Sequence, residues 1–416
     1  MLFGSSGIRQ KYGQELQEIT LALGSVLGRT ESDVLLGRDT RSTGPILNDL
    51  LAAGILASGG NVHDAGIVPT PTIGFGARNY AAGAMITASH NPEEYNGIKL
   101  FNPDGSSFSR QRQNQIEEEL PHRYWQKWDN QGAILQVDAL HTYLQAVIHS
   151  RSPQEGVPLI LDCGNGAGSV ATPPILSSLG ADITCVNCNG AGFFSRPSEP
   201  LKEHVAYLGP LIANKNALGA VIHDGDADRM MAFDRQGRFI SGDTLLILFV
   251  RYLGVKEVVT TYDASMAIEE VATVRRTPVG DSYVSEELTR WGKFGGEPSG
   301  AWIFPCHSLC PDGPYAAALF CEMVKEWDIP SEIDALPRYP VIRESVPCEK
   351  AAEVMKFLGA DVPSNGIRIE EERGWCLIRA SGTEPKIRLT AEGLDKRMAN
   401  EMLSKGRNLL KSWKSA

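Results

Sequence analysis

"DVLLGRDTRSTGPILNDLLAAGILASGGNVHDAG", residues 33–66, decides the fold. A short apolar run opens it, a polar turn follows, an amphipathic stretch runs to a pair of glycines, and a second apolar run closes it. Read by period, this is strand, turn, helix, turn, strand. "VPLILDCGNGAGSVATPPILSSLGADITCVN", residues 157–187, reads the same way, and "EVVTTYDASMAIEEVATVRRTPVG", residues 257–280, is a shorter version. Apolar β-branched runs alternating with amphipathic helices predict α/β units around a mixed, mostly parallel sheet.

Three copies of the pattern predict three related α/β domains, over residues 1–139, 140–236 and 237–336. "DALPRYPVIRESVPCEK", residues 334–350, interrupts the pattern with three prolines. It reads as a linker into a smaller α+β unit, residues 337–416. That unit holds "VMKFLGA", a hairpin-like stretch over 366–393, and a closing helix over 396–413. The length of 416 residues agrees with two to four domains at roughly 150 residues each.

Hydrophobic residues make up 42% and charged residues 22%, so each domain can bury a core. A net charge of −10 argues against a general binder of nucleic acid or anionic membrane. Any phosphate ligand must be held by local Arg and Lys clusters. No apolar run approaches the ~18 residues of a membrane span. The opening "MLFGSSGIRQKYG" has no signal-peptide core, and a cytoplasmic location is the expectation. Cys185 and Cys188 form a CxxC, and Cys306, His307 and Cys310 a CHxxC. Neither has a second ligand pair at matching spacing, so they read as buried or incidental thiols.

The chemistry concentrates in four places. In "GAMITASHNPEEYNGIKLF", residues 83–101, a strand gives way to an irregular segment carrying Thr87, Ser89, His90, Asn91, Asn96 and Lys99. A serine just past a strand end is exposed and can carry a phosphoryl group. Alone, the same letters also describe a Ser/Asn/Pro turn. "VIHDGDADRM", residues 221–230, follows a strand with Asp224, Asp226 and Asp228, then Arg229. Carboxylates so close repel unless a cation compensates, and their oxygens suit Mg²⁺. "IRASGTEPKIRL", residues 378–389, sets Arg379, Ser381, Gly382, Thr383, Lys386 and Arg388 around a small-residue turn, the donor set a phosphate dianion needs. "GGEPSGAWIF", residues 295–304, places Glu297 and Ser299 between glycines, where sugar hydroxyls can approach. "CGNGAG" at 163–168 is not GxGxxG, and Asn187 stands where a ribose-binding acid would be, so a dinucleotide site is rejected.

The ordered set "FGSSGIR", "GRDTR", "TASHNPEEYNGIK", "DGDADR", "GGEPSG" and "RASGTEP" covers nearly the whole chain and resembles the α-D-phosphohexomutases. The resemblance implies four domains around a central cleft, with each motif on a loop facing it. It implies that Ser89 is the phosphoserine, and that Mg²⁺ is held by Asp224, Asp226, Asp228 and an oxygen on Ser89. Arg9, His90, Asn91, Lys99 and Arg229 would line the same site. Glu297 and Ser299 would meet the sugar, with Thr277 and Gly280 nearby. Arg379, Ser381, Gly382, Thr383 and Arg388 would clamp the distal phosphate.

The implied reaction interconverts a hexose 6-phosphate and 1-phosphate through a sugar 1,6-bisphosphate, which also serves as activator. Lys99 or a neighbour would be the general base. The partner is a phosphosugar, with neither nucleic acid nor membrane involved and homo-oligomerisation left open. "GEPSGAWIFPCHSLCPDG" is most similar to archaeal phosphoglucosamine mutases, and phosphomannomutase/phosphoglucomutase activity is the runner-up. Ala301 stands where many members have histidine, so one sugar contact would be missing or replaced by Trp302 or His307. Ser282 stands where bacterial phosphoglucosamine mutases commonly have arginine. A phosphoserine hydrolase would not need the distal clamp, and a silent binding protein would have lost Ser89 or the aspartates.

Overall fold

The computed structural model describes residues 2–4, 7–190, 192–360, 362–363, 365–381 and 385–414. The stretch 33–66 forms the strand Asp33–Arg38, the helix Gly44–Ala57 and the strand Asn61–Ile67, with the two strands parallel. Pro45 sits in the first helical turn, where its missing N–H costs nothing. The second copy gives Pro158–Asp162, a single 3₁₀ turn, the helix Thr172–Ser178 and the parallel strand Asp182–Val186. In the third copy the crossover between Glu257–Thr261 and Thr273–Thr277 is only the 3₁₀ turn Met266–Glu270.

All three sheets are mixed. Parallel strands form the body, and an antiparallel segment adds at one edge or one strand in from it. In the first sheet that segment is Tyr95–Phe101, between Ala82–Ile86 and Ile8–Lys11. In the second it is Met230–Asp234 with Phe239–Ile240, and in the third Trp302–Phe304 with Ser308–Pro311. Two of the chemistry-bearing loops, at 87–94 and 224–229, join a strand of the body to its antiparallel neighbour. The last sheet is wholly antiparallel, with the helix Lys396–Lys414 packed on it.

The first and last units have cores of their own, around Leu23, Leu51 and Ile86, and around Ile378, Leu389 and Met402. The second and third share one continuous core. The helix Gly313–Glu326 explains this. It lies in the third segment of the sequence but packs on the strands Gly219–His223 and Met230–Asp234 of the second.

Candidate active site

Lys99 is not in the irregular segment where the sequence reading put it. It lies opposite Met85 on the return strand Tyr95–Phe101. Asn96 and Gly97 pair on their other side with Gln10 and Arg9, so ladders on both sides hold the segment extended. Ser89 lies at the bend, with φ of 49°, a left-handed backbone that costs a non-glycine residue about 1 kcal/mol or more. Its N–H donates to Thr87 Oγ1 at 2.8 Å, and its carbonyl accepts from Arg41 at 2.8 Å and Ser198 Oγ at 3.1 Å. Its Oγ donates to Asp224 Oδ2 at 2.7 Å and lies 3.4 Å from His90 Nδ1. The serine is buried, 1% exposed, where the sequence reading expected exposure. Two loops of the second domain, one carrying Ser198 and the other Gly225, pack against it.

Asp224, Asp226 and Asp228 are all buried, and one oxygen of each lies within 4.8 Å of the others. Among the described residues they are the one such group of three potential ligands, and neither cysteine cluster forms one. Lys99 Nζ donates to Asp226 Oδ2 at 2.7 Å and also to Asp228 Oδ2. Thr70 Oγ1 donates to Asp226 Oδ2 at 2.5 Å. The other oxygens, Oδ1 of Asp226 and Oδ1 of Asp228, are buried with no hydrogen-bond partner among the described residues. Orphaned carboxylate oxygens beside a third acid fit a hard divalent cation.

Burial pushes the Asp224 and Asp228 carboxyls up, and the neighbouring acids push them further. Burial acts the same way on Asp226, but the charge and hydrogen bond of Lys99 outweigh it and hold that carboxyl low. Burial opposes the Lys99 charge, yet Asp226 and Asp228 together keep the ammonium protonated. The Lys99 Nζ is a hydrogen-bond donor to both acids. Burial, together with Arg229 and Arg9, pushes His90 well below the usual histidine range and leaves it neutral.

Beside this cluster lies a cleft of about 720 Å³ lined by all four parts of the chain. Arg9 and His90 come from the first, Arg229 and Glu199 from the second, Gly280, Glu297 and Ser299 from the third, and Arg379 from the fourth. Glu297 Oε1 accepts from the Gly280 N–H at 2.8 Å, and Oε2 from Ser299 Oγ at 3.3 Å. Burial raises the Glu297 carboxyl to about 7; Asp281 and Asp263 add to this, while Arg229 opposes it.

Other expected residues stand elsewhere. The Thr277 hydroxyl turns to the carbonyls of Pro278 and Thr260, at 3.1 and 3.5 Å, behind the cleft wall. Arg388 is the cross-strand partner of Arg379. Ser381 Oγ is buried without a partner among the described residues. Gly382 and Thr383 lie outside the described residues. Neither Trp302 nor His307 takes the place of a histidine at Ala301. The Trp302 indole is fully buried and bonds to the Met230 carbonyl at 2.7 Å, and His307 stacks on Phe75 with centroids 4.6 Å apart. Ala301 and Ser282 themselves line the cleft.

Sequence reasoning gave no individual role to Asp39, Arg41, Thr70, Ser198 or Glu199. The first two lie in the quoted "GRDTR", which was the only signal available. No helix among the described residues is long and apolar enough to cross a membrane.

The comparisons agree with this geometry. Four family models match in order: the alpha/beta/alpha domains I, II and III of phosphoglucomutase/phosphomannomutase over residues 1–127, 140–237 and 241–337, and the C-terminal domain over 345–405. A probable phosphoglucosamine mutase of Methanosarcina acetivorans is 42% identical, over 95% of this chain and 96% of its own. A phosphoglucosamine mutase of Methanococcus aeolicus is 41% identical, over 99% and 98%. Among solved structures, a phosphoglucomutase/phosphomannomutase family protein of Burkholderia thailandensis superimposes with a TM-score of 0.84 at 22% identity, covering 99% of this chain and 97% of the other.

Proposed function

Since the chain belongs to the phosphoglucomutase/phosphomannomutase family, we propose that it interconverts the 6-phosphate and 1-phosphate of glucosamine through a phosphoserine at Ser89. The observation that carries the reading is Ser89 Oγ, bonded at 2.7 Å to one of three clustered carboxylates beside a cleft to which each domain contributes. The Oγ–P bond of phospho-Ser89 breaks as the free hydroxyl of the bound sugar phosphate bonds to that phosphorus, and the proton lost by the hydroxyl is balanced by the one that Ser89 Oγ takes up. The resulting 1,6-bisphosphate reverses, and its other phosphoryl group returns to Ser89.

Asp224, Asp226, Asp228 and a phosphoserine oxygen would hold Mg²⁺, which when bound supplies a Lewis acid at the transferring group. The chain's own cations, Lys99, Arg9 and Arg229, balance charge on the equatorial oxygens. Burial of Ser89 keeps water from competing as acceptor. Arg379, Ser381, Gly382, Thr383 and Arg388 hold whichever phosphate is distal. Glu297 and Ser299 orient the sugar. The acidic surroundings of Glu297, with Asp281 and Asp263, favour an ammonium over a plain hydroxyl, and the relatives named as phosphoglucosamine mutases support the same sugar.

A coupled assay on the 6-phosphates of glucosamine, mannose and glucose tests the reading. Glucosamine phosphate should be the best of the three, and a clear preference for either other sugar overturns that part. Intact mass and peptide mapping should find phosphate on Ser89, and full turnover by Ser89→Ala would overturn the rest.

A further inference from the structure

Arg41 lies in the turn after the strand Asp33–Arg38, 2% exposed and outside the cleft lining. Its Nη1 donates to the carbonyls of Pro92 and Tyr95, at 2.7 and 2.9 Å. Its Nη2 donates to those of Ser89 and Asn91, both at 2.8 Å. Nε donates to Asp39 Oδ2 at 3.1 Å, so all five guanidinium hydrogens are taken. Asp39, itself fully buried, also accepts the Arg41 N–H at 3.0 Å and the Thr87 hydroxyl at 2.7 Å. Thr87 Oγ1 in turn accepts the Ser89 N–H at 2.8 Å. The polar groups close a ring that runs from Asp39 through Thr87, Ser89 and Arg41 back to Asp39. The Phe194 ring of the second domain covers the guanidinium at 4.9 Å.

We propose that Arg41, fixed by Asp39, is a positioning residue for phosphoryl transfer: its fork holds the loop at 89–95 by four carbonyls and so aims Ser89 Oγ at the acid cluster. This rests on the reading of Ser89 as the phosphoryl acceptor. The loop has reason to need such a clamp. Its serine sits in a disfavoured backbone region, and once phosphorylated it faces three carboxylates that repel it. A planar fork with fixed donors meets four diverging carbonyls, which a lysine ammonium on a flexible stem does not. Arg41 touches no reacting atom, so its effect falls on the transfer step and on the partition between sugar and water.

The test uses the full chain with Mg²⁺ and a hexose 1,6-bisphosphate to load the serine. Wild type, Arg41→Lys, Arg41→Ala with and without added guanidinium ion, and Thr87→Val are compared. For each, kcat, KM, phosphate on Ser89, loss of that phosphate to water, and Tm are measured. Arg41→Lys should lower kcat by about 10²-fold, the cost of displacing a reacting group by about an ångström, while KM stays close to wild type. A larger share of phosphoryl groups should go to water. Guanidinium ion should restore part of the kcat of Arg41→Ala, and Thr87→Val should shift kcat and the water partition in the same direction by less. The proposal is overturned if folded Arg41→Lys and Thr87→Val keep kcat within about twofold of wild type. It is also overturned if lost activity merely follows lost Tm and guanidinium restores nothing. If the Arg41 variants do not fold, Thr87→Val decides by the same criterion. A wild-type protein with no phosphate on Ser89 and no mutase turnover overturns the underlying reading instead.

Discussion

At Glu297 one buried carboxyl would link stability to the proposed choice of sugar. Its folded pKa of about 7 stands above the ordinary 4.5, so the fold prefers the protonated acid. The stability it contributes relative to the ionised form is present below pH 4.5 and is lost as pH rises through 7. Glu297→Gln should therefore raise Tm at pH 8 and change it little at pH 4. At about 1.4 kcal/mol for each pH unit between the two values, the gain has an upper bound of about 3 to 4 kcal/mol. A Tm at pH 8 equal to or below wild type would contradict this. The same variant should lose the acid limb near pH 7 in kcat/KM for glucosamine phosphate, because the ionised carboxylate is the form that pairs with an ammonium. At this scale the sequence was legible where polar residues crowd after a strand, as at Ser89 and the three aspartates. Arg41, Thr70 and Ser198 escaped because their partners lie 48, 156 and 109 positions away, and no local pattern encodes that distance.

Two loops from different domains meet with almost no tolerance. A Cβ at Gly225 would lie 2.7 Å from the Phe194 ring, 2.8 Å from the Ser89 carbonyl and 2.9 Å from Ser198 Oγ. Ser198 Oγ bridges the two loops, accepting the Gly225 N–H at 2.9 Å and donating to the Ser89 carbonyl at 3.1 Å. Gly225→Ala should force the serine loop and the acid loop apart without touching a potential ligand. Titration calorimetry should show Mg²⁺ affinity down by about tenfold or more, the usual cost of disturbing a ligand's supports; unchanged affinity would mean that the loops do not share the ion. The βαβ units were readable from hydrophobic period. Two details were not. Lys99 follows a proline-containing turn, yet ladders on both sides make its segment a strand. The third crossover is too short for a full helix, and a single 3₁₀ turn spans it.

Across the whole molecule, among the described residues, the second and third domains share the largest core, the first and last have cores of their own, and two smaller clusters lie around Met85 and Cys310 and around Val259 and Ile303. The C-terminal unit meets the third domain at Glu392, fully buried, which accepts from Ser265 Oγ at 2.6 Å, the Met266 N–H at 2.7 Å and Trp375 Nε1 at 2.7 Å. Arg368 adds a hydrogen bond to the Tyr262 carbonyl. Scanning calorimetry should resolve a C-terminal transition separate from that of the joined middle domains. Glu392→Ala leaves three donors without their acceptor, should cost about 3 kcal/mol in that transition, and should raise KM, since Arg379 is carried by the same sheet. A single unchanged transition would contradict the division. Domain number was legible in the repeats, whereas the sharing of a core was not, because the helix Gly313–Glu326 crosses to a neighbour in space that is distant in sequence. The cleft between these bodies has a kinetic consequence. About 720 Å³ lies well within the ~300–1,000 Å³ typical of small-molecule sites. A bisphosphate formed there has room to exchange ends before it meets bulk solvent. The protein would then act as the keeper of its own intermediate. An isotopic mark placed on the Ser89 phosphoryl group should leave on the first monophosphate released, and little of it should enter a pool of free bisphosphate in the medium.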